Sequence, residues 1–372
     1  MKLIAQVKLQ PTPEQADALR RTLELTNEAC NYLSERAWEA ETFRQYDLHK
    51  LAYHETREQF PDLSSQIVVR CIARVADAYK LDRKTKRTFK PLSAIAYDER
   101  ILRWYVDRSF VSIWTIGGRA KIGFVCGERQ RGLLRCQQGQ SDLILRKGLW
   151  YLYATCNVEE PGLIEPDGVL GVDLGIISLA TDSDGESYSG EAVEKNRRTY
   201  AHRRRNLQRK GTKAAKRKLK QLSGKQADFQ RVTNHTISKR IVAKAKDTNR
   251  AIAVENLTGI RSRVTVRRRQ RARHANWSFF QLKQFLGYKA QLAGVPLIEV
   301  DPRYTSQACS VCGCVDRANR PDQATFLCTS CGHSANADVN AAANIAARAA
   351  STGQTSFGLK VSAFRPGTSS PL

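Results

Sequence analysis

The segment GVDLGIISLAT, residues 171–181, carries one aspartate, Asp173, inside an otherwise apolar run. Apolar residues on both sides of Asp173 predict a buried strand. Gly175 and the Asp184-Gly185 pair predict turns, so the wider segment 169–190 is expected to form a β-hairpin. A carboxylate inside such a strand is costly to bury unless a cation neutralises it, so Asp173 is a candidate metal ligand.

Two further acids stand at the edges of apolar elements. AIAVE, residues 251–255, predicts a buried strand that ends at Glu255, and DVNAAANIAARAA predicts a helix that opens on Asp338. Each acid alone has a simpler explanation: a turn contact for Asp173, an ion pair with the following arginine-rich loop for Glu255, an N-cap for Asp338. Together they can surround two Mg²⁺ or Mn²⁺ ions, about 3.5 to 4 Å apart, that hold a scissile phosphate.

Four cysteines form two C-x2-C pairs separated by fifteen residues, which is the spacing of a zinc site: Cys309, Cys312, Cys328 and Cys331. Gly313 and Gly332 follow the pairs, as knuckle turns require, so we predict a structural Zn²⁺ ribbon. Cys314 is an alternative ligand to Cys312, and His333 is expected to flank the site as a structural residue. The remaining cysteines are predicted to be ordinary buried thiols: Cys30, Cys71, Cys126, Cys136 and Cys156.

The formal net charge of +25 over 372 residues predicts a polyanionic partner, and nucleic acid is the default. A membrane-surface protein is the competing class, but the sequence offers no run of roughly 18 apolar residues, no amphipathic anchor and no lipidation signal. The first fifteen residues alternate like a strand and lack the apolar core of a signal peptide. We therefore expect the protein to stay inside the cell, in the cytoplasm.

The first half of the chain changes pattern near residue 92. Thr12-Pro13 predicts a helix start, and apolar residues at helical spacing continue to about Tyr79. Short alternating runs punctuated by glycines then predict a small β-barrel over residues 92–160. The opening strand, residues 1–10, is expected to join this barrel, which makes the helical region 11–91 an insertion.

The second half is basic. Residues 195–250 predict two basic helices joined by a turn near Ser223 and Gly224, and an arginine-rich loop follows the strand at Glu255. Residues 277–294 predict an amphipathic helix that leads into a further strand. The segment from Ser351 to the last residue is rich in Gly, Ser, Thr and Pro, which predicts a disordered tail.

These motifs resemble the TnpB proteins of bacterial insertion sequences, relatives of the compact type V CRISPR effectors. The resemblance is carried by GVDLGIISLAT around Asp173, VENLTGI around Glu255, and VDPRYTSQACSVCG and CTSCGHSANADVNAAANI at the two cysteine pairs. It covers about the second half of the chain. One departure is that many relatives carry Asp-Arg where this chain has Asn336 and Ala337.

The resemblance implies an α+β multidomain protein that cleaves DNA. The expected parts are a wedge-like β-barrel at 1–10 and 92–160, a helical recognition region at 11–91, an RNase-H-like RuvC-type nuclease domain at 168–304 and 334–350, a zinc ribbon at 305–333, and a disordered tail at 351–372. The implied catalytic acids are Asp173, Glu255 and Asp338. The implied partners are a transposon-end-derived guide RNA and double-stranded target DNA beside a short flanking motif, with a monomer as the favoured state.

In this architecture the basic helices are expected to contact phosphates of the guide-target duplex without reading its sequence. The expected contacts are Arg203, Arg204, Arg205, Arg209, Lys210, Lys216, Arg217, Lys218 and Lys220, with Arg267, Arg268, Arg269, Arg271 and Arg273 in the arginine-rich loop. The alternative for each is a solvated charged face. Alternative functions for the whole chain are a guided repressor without cleavage, a strand-transferring transposase and a non-catalytic RNA-binding accessory.

Overall fold

The computed structural model describes residues 1–257 and 279–353, in an α+β architecture of two compact units. The first unit ends at Glu159 and the second begins at Glu160. Within the described ranges, no helix has both the length and the apolar character needed to cross a membrane. The arginine-rich loop and Trp277, predicted above, lie outside the described residues, as does the predicted tail from residue 354 onward.

The first unit is built on an antiparallel sheet of seven strands in the order β2-β6-β7-β1-β5-β4-β3. The strands are β1 Lys2–Gln10, β2 Ile95–Tyr97, β3 Leu102–Tyr105, β4 Phe110–Thr115, β5 Gly118–Val125, β6 Gln137–Arg146 and β7 Leu149–Asn157. Alternate residues of β1 (Ala5, Val7, Leu9) are buried, because successive side chains of a strand point to opposite faces. The opening strand is thus paired on both sides, with β7 and with β5.

The sheet is near-closed, whereas the sequence predicted a closed barrel. Its hydrogen-bonded order has two ends, β2 and β3. Side chains bridge strands that are not paired in the sheet: Tyr97 Oη donates to the carbonyl of Trp114 at 3.1 Å, and Trp104 Nε1 donates to Ser141 Oγ at 3.3 Å. Backbone pairing therefore leaves the sheet open between β2 and β3, and side-chain hydrogen bonds connect strands from its two halves.

Four helices belong to this unit: α1 Pro13–Glu39, α2 Gln45–Gln59, α3 Ser65–Leu81 and α4 Glu128–Arg135. The first begins where Thr12 and Gln15 form a reciprocal capping box ahead of Pro13, as the sequence indicates. The fourth corrects the prediction of strands alone in this region. It has Glu128 in its first turn and Arg135 in its last, which suits the helix dipole, and it buries Leu134.

The second unit contains a five-stranded sheet in the order β10-β9-β8-β11-β12. Its strands are β8 Gly168–Asp173, β9 Ser178–Asp182, β10 Ser187–Ser189, β11 Arg250–Glu255 and β12 Leu297–Val300. The predicted hairpin is present as β9 and β10, with Gly185 at a φ of 92° in its turn. Strands β8, β11 and β12 are parallel, and residues 251–254 of β11 are buried without alternation, as expected for a strand covered on both faces.

The helices of this unit are α5 Glu191–Lys210, α6 Lys213–Asp247, α7 Phe279–Ala293 and α8 Ala337–Gly353. The break between the two basic helices lies at Gly211 and Thr212, not near Ser223 and Gly224 as predicted. Gly211 adopts a φ of 64°, which ends α5, and Thr212 Oγ1 caps the start of α6. Helix α8 continues through Gly353, so the segment predicted to be disordered from Ser351 begins as helix.

A small two-stranded sheet lies between β12 and α8. It consists of β13 Thr325–Leu327 and β14 Ser334–Asn336, and a single 3-10 turn at Arg317–Asn319 precedes it. Cys309, Phe326, Cys328 and Ala337 form a separate small core in this region. The C-x2-C segments therefore pack around their own centre and not into the five-stranded sheet.

Candidate active site and cysteine cluster

Two of the three predicted acids end neighbouring parallel strands. Asp173 is the last residue of β8 and Glu255 the last residue of β11. Val172 and Val254 are register partners, so each acid is the next residue after that pair. Both carboxylates are half-buried. Parallel pairing thus places the two acids side by side at one edge of the sheet.

Helix α8 brings the third acid to the same edge. A Cβ on Gly171 would collide with the carbonyl oxygen of Ala342 and lie 2.7 Å from the backbone nitrogen of Ala346, so strand and helix touch backbone to backbone. Asp338 lies one turn before Ala342, and Asp173 lies two residues after Gly171. The glycine therefore allows the approach that puts these two carboxylates near each other.

The acids interact electrostatically. Burial, followed by the negative charges of Glu255 and Asp338, raises the pKa of Asp173 to about 7, against the opposing charge of Arg320. Burial also raises the pKa of Glu255, although a hydrogen bond from Thr305 opposes it. Carboxylates that repel one another in this way are stabilised by a cation, and an all-oxygen donor set suits a hard divalent ion.

Asp338 does not cap its own helix. Asn336 Oδ1 accepts hydrogen bonds from the backbone amides of Asp338, at 2.9 Å, and Val339, at 3.2 Å. Asn336 therefore takes the capping role that was the simpler explanation for Asp338. Ala337, where relatives carry arginine, is fully buried in the core of the cysteine region.

The four predicted cysteines converge. Their sulfur atoms lie within 4.8 Å of one another, a closer grouping than that of Asp173, Glu255 and Asp338 among the described residues. Cys309 and Cys331 sulfurs are 3.7 Å apart, and Cys312 and Cys328 sulfurs 3.5 Å. Gly313 and Gly332 adopt φ values of 74° and 72° in the knuckle turns. A closed set of four thiols with these turns suits a structural Zn²⁺ ion.

A backbone amide acts on one of the four thiols. The amide of Cys331, 3.4 Å from Cys328 Sγ, lowers the pKa of the Cys328 thiol to about 6 and so favours the thiolate. The sulfur of Cys314 is not part of this group. Its backbone carbonyl accepts a hydrogen bond from the Cys309 amide at 2.9 Å. The His333 carbonyl accepts from the Cys328 amide at 2.9 Å, a structural role.

The five single cysteines are free thiols, but only three are buried. Cys30, Cys71 and Cys156 are buried, whereas Cys126 is half-buried and Cys136 is exposed. The prediction of buried thiols is wrong for these last two. Cys136 follows α4, the helix that the sequence did not predict, and this position at the helix end leaves it in solvent.

Buried polar residues around the cysteines were missed from the sequence. Asn319 is fully buried, and its amide donates to the carbonyls of Gln307 (2.9 Å) and Cys314 (3.1 Å) while its oxygen accepts from the amide of Thr329 (2.9 Å). Asn319 is thus hydrogen-bonded to the backbone of both knuckles. The signal available in the sequence was an asparagine midway between the pairs, which on its own predicts only a turn.

The predicted phosphate contacts on α5 and α6 are exposed with one exception. Arg204 is half-buried, and its Nη2 donates to Gln226 Oε1 at 2.9 Å, which joins α5 to α6. Within the described ranges, none of the remaining predicted contacts has a carboxylate within ion-pair distance. These contacts are Arg203, Arg205, Arg209, Lys210, Lys216, Arg217, Lys218 and Lys220. Arg267, Arg268, Arg269, Arg271 and Arg273 lie outside the described residues.

Two family models match this chain. The model described as a probable transposase matches residues 155–261, which include Asp173 and Glu255. The model described as the TNB domain of Cas12f1-like proteins matches residues 279–345, which include Asp338 and the four clustered cysteines.

Named relatives include CRISPR-associated endodeoxyribonucleases and putative RNA-guided DNA endonucleases. The CRISPR-associated endodeoxyribonuclease Cas12f1 of Sulfoacidibacillus thermotolerans is 37% identical over 219 residues, 54% of this chain and 50% of that protein. The putative RNA-guided DNA endonuclease InsQ of Escherichia coli strain K12 is 29% identical over 216 residues, 54% of each chain. The chain thus spans about half the length of these relatives.

Solved structures share the fold. A Cas12f1-sgRNA-target DNA complex matches with a TM-score of 0.60 at 15% identity, over 90% of this chain and 83% of that one. The mini-RNA-guided endonuclease CRISPR-Cas_phi3 matches with a TM-score of 0.56 at 11% identity, over 94% and 92%. At such low identities, the likeness establishes that the chain has the fold of these compact effectors.

Proposed function

We propose that this chain, a TnpB-family relative of the type V effectors, is an RNA-guided DNA endonuclease that cleaves target DNA beside a short transposon-associated flanking motif. The observation that carries the proposal is that Glu255 at the end of β11 and Asp338 in the first turn of α8 act electrostatically on Asp173 at the end of β8. The negative charges of Glu255 and Asp338 help to raise the pKa of Asp173, and a divalent ion bound beside Asp173 would offset that repulsion. Relatives named as endonucleases support the same activity.

The proposed domains follow from this site. The five-stranded sheet with α8 corresponds to an RNase-H-like, RuvC-type nuclease domain, and residues 305–333 to a zinc ribbon inserted before its last acid. The near-closed sheet of the first unit corresponds to a wedge domain, and α1 to α3 to a recognition region.

The three carboxylates would hold Mg²⁺ or Mn²⁺ ions, and the four cysteines Zn²⁺. When bound, a pair of hard divalent ions supplies a water nucleophile of lowered pKa and stabilises the leaving oxygen. The side chains of the protein orient that site: Glu255 is held by Thr305, and Asp338 is projected from a helix capped by Asn336. The pKa of Asp173 is raised to about 7, so this carboxyl group holds a proton over much of the neutral range. It must release that proton to act as a metal ligand.

Sequence specificity would come from pairing between guide RNA and target, with the protein contacting phosphates. Eight of the predicted contacts on α5 and α6 are exposed cations without ion-pair partners in the described part of the chain, and they supply a surface of the right charge. These contacts position a duplex and do not read its bases.

The test is RNA-dependent cleavage. The chain is purified with RNA transcribed from the flanking transposon end and incubated in Mg²⁺ with plasmids that carry the matched target and randomised flanks. Cleavage should require the RNA and disappear in Asp173→Asn. Asp301→Asn is the matched control, because Asp301 directly follows β12 at the same edge but is exposed and lies outside the three acids.

Other outcomes would identify the alternatives. Target binding without cleavage in the parent chain would indicate a guided repressor, and joining of DNA ends a transposase. RNA binding with neither target binding nor cleavage would indicate an accessory protein. If Glu255→Gln cleaved as fast as the parent chain, the proposed site would be wrong.

A further inference from the structure

A chain of buried polar contacts joins Glu255 on β11 to helix α8. The hydroxyl of Thr305, whose side chain is 2% exposed, donates to Glu255 Oε1. The carbonyl of Thr305 accepts from Asn344 Nδ2 of α8 at 2.9 Å. Asn344 lies six residues after Asp338 on the same helix. One acid is thus connected to the helix that carries another.

The same face of α8 holds the segment that enters the first cysteine knuckle. Asn344 Nδ2 also donates to the carbonyl of Ala308, at 2.7 Å, and Asn340 Nδ2 donates to the same carbonyl at 2.8 Å. Asn340 Oδ1 accepts from the backbone amide of Ser310, at 3.0 Å. Residues 305–310 are therefore fixed against α8 at several points.

These contacts are costly to break, because a buried polar group that loses its hydrogen-bond partner is left with the full cost of its desolvation. Asn340 and Asn344 are 1% and 7% exposed, and both are partnered. The satisfied network therefore specifies one arrangement of Thr305 relative to α8. It follows that the network also specifies where Glu255 stands relative to Asp338.

Thr305 has a competing local partner. Its hydroxyl lies 3.0 Å from the carbonyl of Pro302, which could satisfy the hydroxyl as an ordinary turn contact. A hydroxyl has one proton, and a carboxylate accepts it more strongly than a neutral carbonyl does. The contact with Glu255 is accordingly the dominant one, and it does more than stabilise a turn.

We propose that Thr305 is a positioning residue of the nuclease site, which orients the Glu255 carboxylate toward the divalent ions and is itself set in place by Asn344 of α8. The proposal rests on the proposed function, since it takes Glu255 and Asp338 to be ligands of those ions. Partners behind the direct ligands of a metal typically contribute 10- to 100-fold in affinity or activity.

The decisive comparison is Thr305→Val against Thr305→Ser. Valine keeps the shape and removes the hydroxyl, so the Mg²⁺ concentration for half-maximal cleavage should rise about tenfold or more, with weaker Mn²⁺ binding by calorimetry on the full chain. Serine keeps the donor and should restore both values to within about threefold. Zinc content should equal that of the parent chain in both variants. A loss as large in Thr305→Ser as in Thr305→Val would overturn the proposal.

A matched control is Thr329→Val in the second knuckle, whose hydroxyl contacts Asn319 Oδ1 at 3.1 Å and not an acid of the site. Its Mn²⁺ binding should equal that of the parent chain.

If Thr305→Val does not fold, Asn344→Ser is the variant that tests the proposal. Weaker Mn²⁺ binding with unchanged zinc content would support the role of Asn344 in placing Thr305, and unchanged Mn²⁺ binding would overturn it. If the parent chain binds no Mn²⁺ and does not cleave, the proposed function itself fails. If the parent chain binds Mn²⁺ and cleaves, and Thr305→Val equals it in both, then only the role of Thr305 is rejected.

Discussion

The side chain of Asn336 caps the start of α8, so the side chain of Asp338 does not serve as the cap. Asn336 Oδ1 accepts hydrogen bonds from the backbone amides of Asp338 and Val339, at 2.9 and 3.2 Å. These two amides at the start of the helix have no partner within the helix, and Asn336 supplies one. The Asp338 carboxylate is thereby left for the cluster that contains Asp173 and Glu255. Asn336 stands where many of the proteins that this sequence resembles carry aspartate, and it preserves a capping residue because asparagine and aspartate cap helices about equally well.

Removal of this cap should destabilise the protein. We expect Asn336→Ala to cost about 1 kcal/mol, since no side-chain oxygen would remain for the two amides. Asn336→Asp is the matched control and should stay within about 0.5 kcal/mol of the parent chain. The measurement is the urea midpoint of the zinc-loaded chain. Equal midpoints for the alanine and aspartate variants would mean that the cap contributes nothing.

The raised pKa of Asp173 makes stability depend on pH. The folded chain keeps this proton up to about pH 7, whereas an unfolded aspartate releases it near pH 4, so stability falls as pH rises between these values. From pH 5.5 to 7 the loss due to this group should be about 2 kcal/mol when Mg²⁺ and Mn²⁺ are absent. Asp173→Asn has no such proton, so its unfolding midpoint should exceed that of the parent chain increasingly as pH rises.

Divalent metal provides the control for this prediction. At pH 8, Mg²⁺ or Mn²⁺ should raise the unfolding midpoint of the parent chain, because the ion relieves repulsion among the carboxylates. The same addition should change Asp173→Asn less. A difference between the two proteins that is constant from pH 5.5 to 8 would contradict the raised pKa.

The sequence singled out the three acids as candidate ligands but did not predict how their elements meet. Asp173 stood out because it is a single acid inside an apolar run, Glu255 because it ends such a run, and the cysteines because their spacing reflects local geometry. The approach of α8 to β8 was not predictable, because it depends on the absence of a side chain at Gly171. Thr305 was missed since a lone threonine gives no pattern. The helix break was misplaced because Gly224 is accommodated inside α6, whereas Gly211 adopts the left-handed conformation.

The cysteine cluster should bind one zinc ion through four of the five nearby thiols. Cys328→Ser should reduce the zinc content well below one per chain, because one of the four converging thiols is lost. Cys314→Ser should retain zinc, since Cys314 is outside the four-sulfur group. Metal analysis of the purified chains measures both. Zinc loss in Cys314→Ser with retention in Cys328→Ser would reverse the assignment.

The exposed cations at the start of α6 should contribute to RNA affinity through phosphates. Replacing Lys216, Arg217 and Lys218 with glutamine should weaken guide RNA binding and reduce the slope of log affinity against log salt by up to about 2 to 3. Arg231→Gln on the same helix is the control, because Arg231 already pairs with Asp228 at 2.9 Å. An unchanged slope in the triple variant would mean that these residues form only a solvated face.

Gly171 should tolerate no side chain, because it lies where α8 meets β8. In Gly171→Ala the new Cβ would collide with the backbone of Ala342 and Ala346, which cannot rotate away as a side chain could. We expect a loss of about 3 kcal/mol or more and, through displacement of α8, a loss of cleavage. Gly168→Ala on the same strand is the matched control, since its Cβ would meet only the Arg250 side chain at 3.8 Å. Its urea midpoint should equal or exceed that of the parent chain. If both alanine variants unfolded at the same urea concentration, the close contact would not be what holds Asp338 near Asp173.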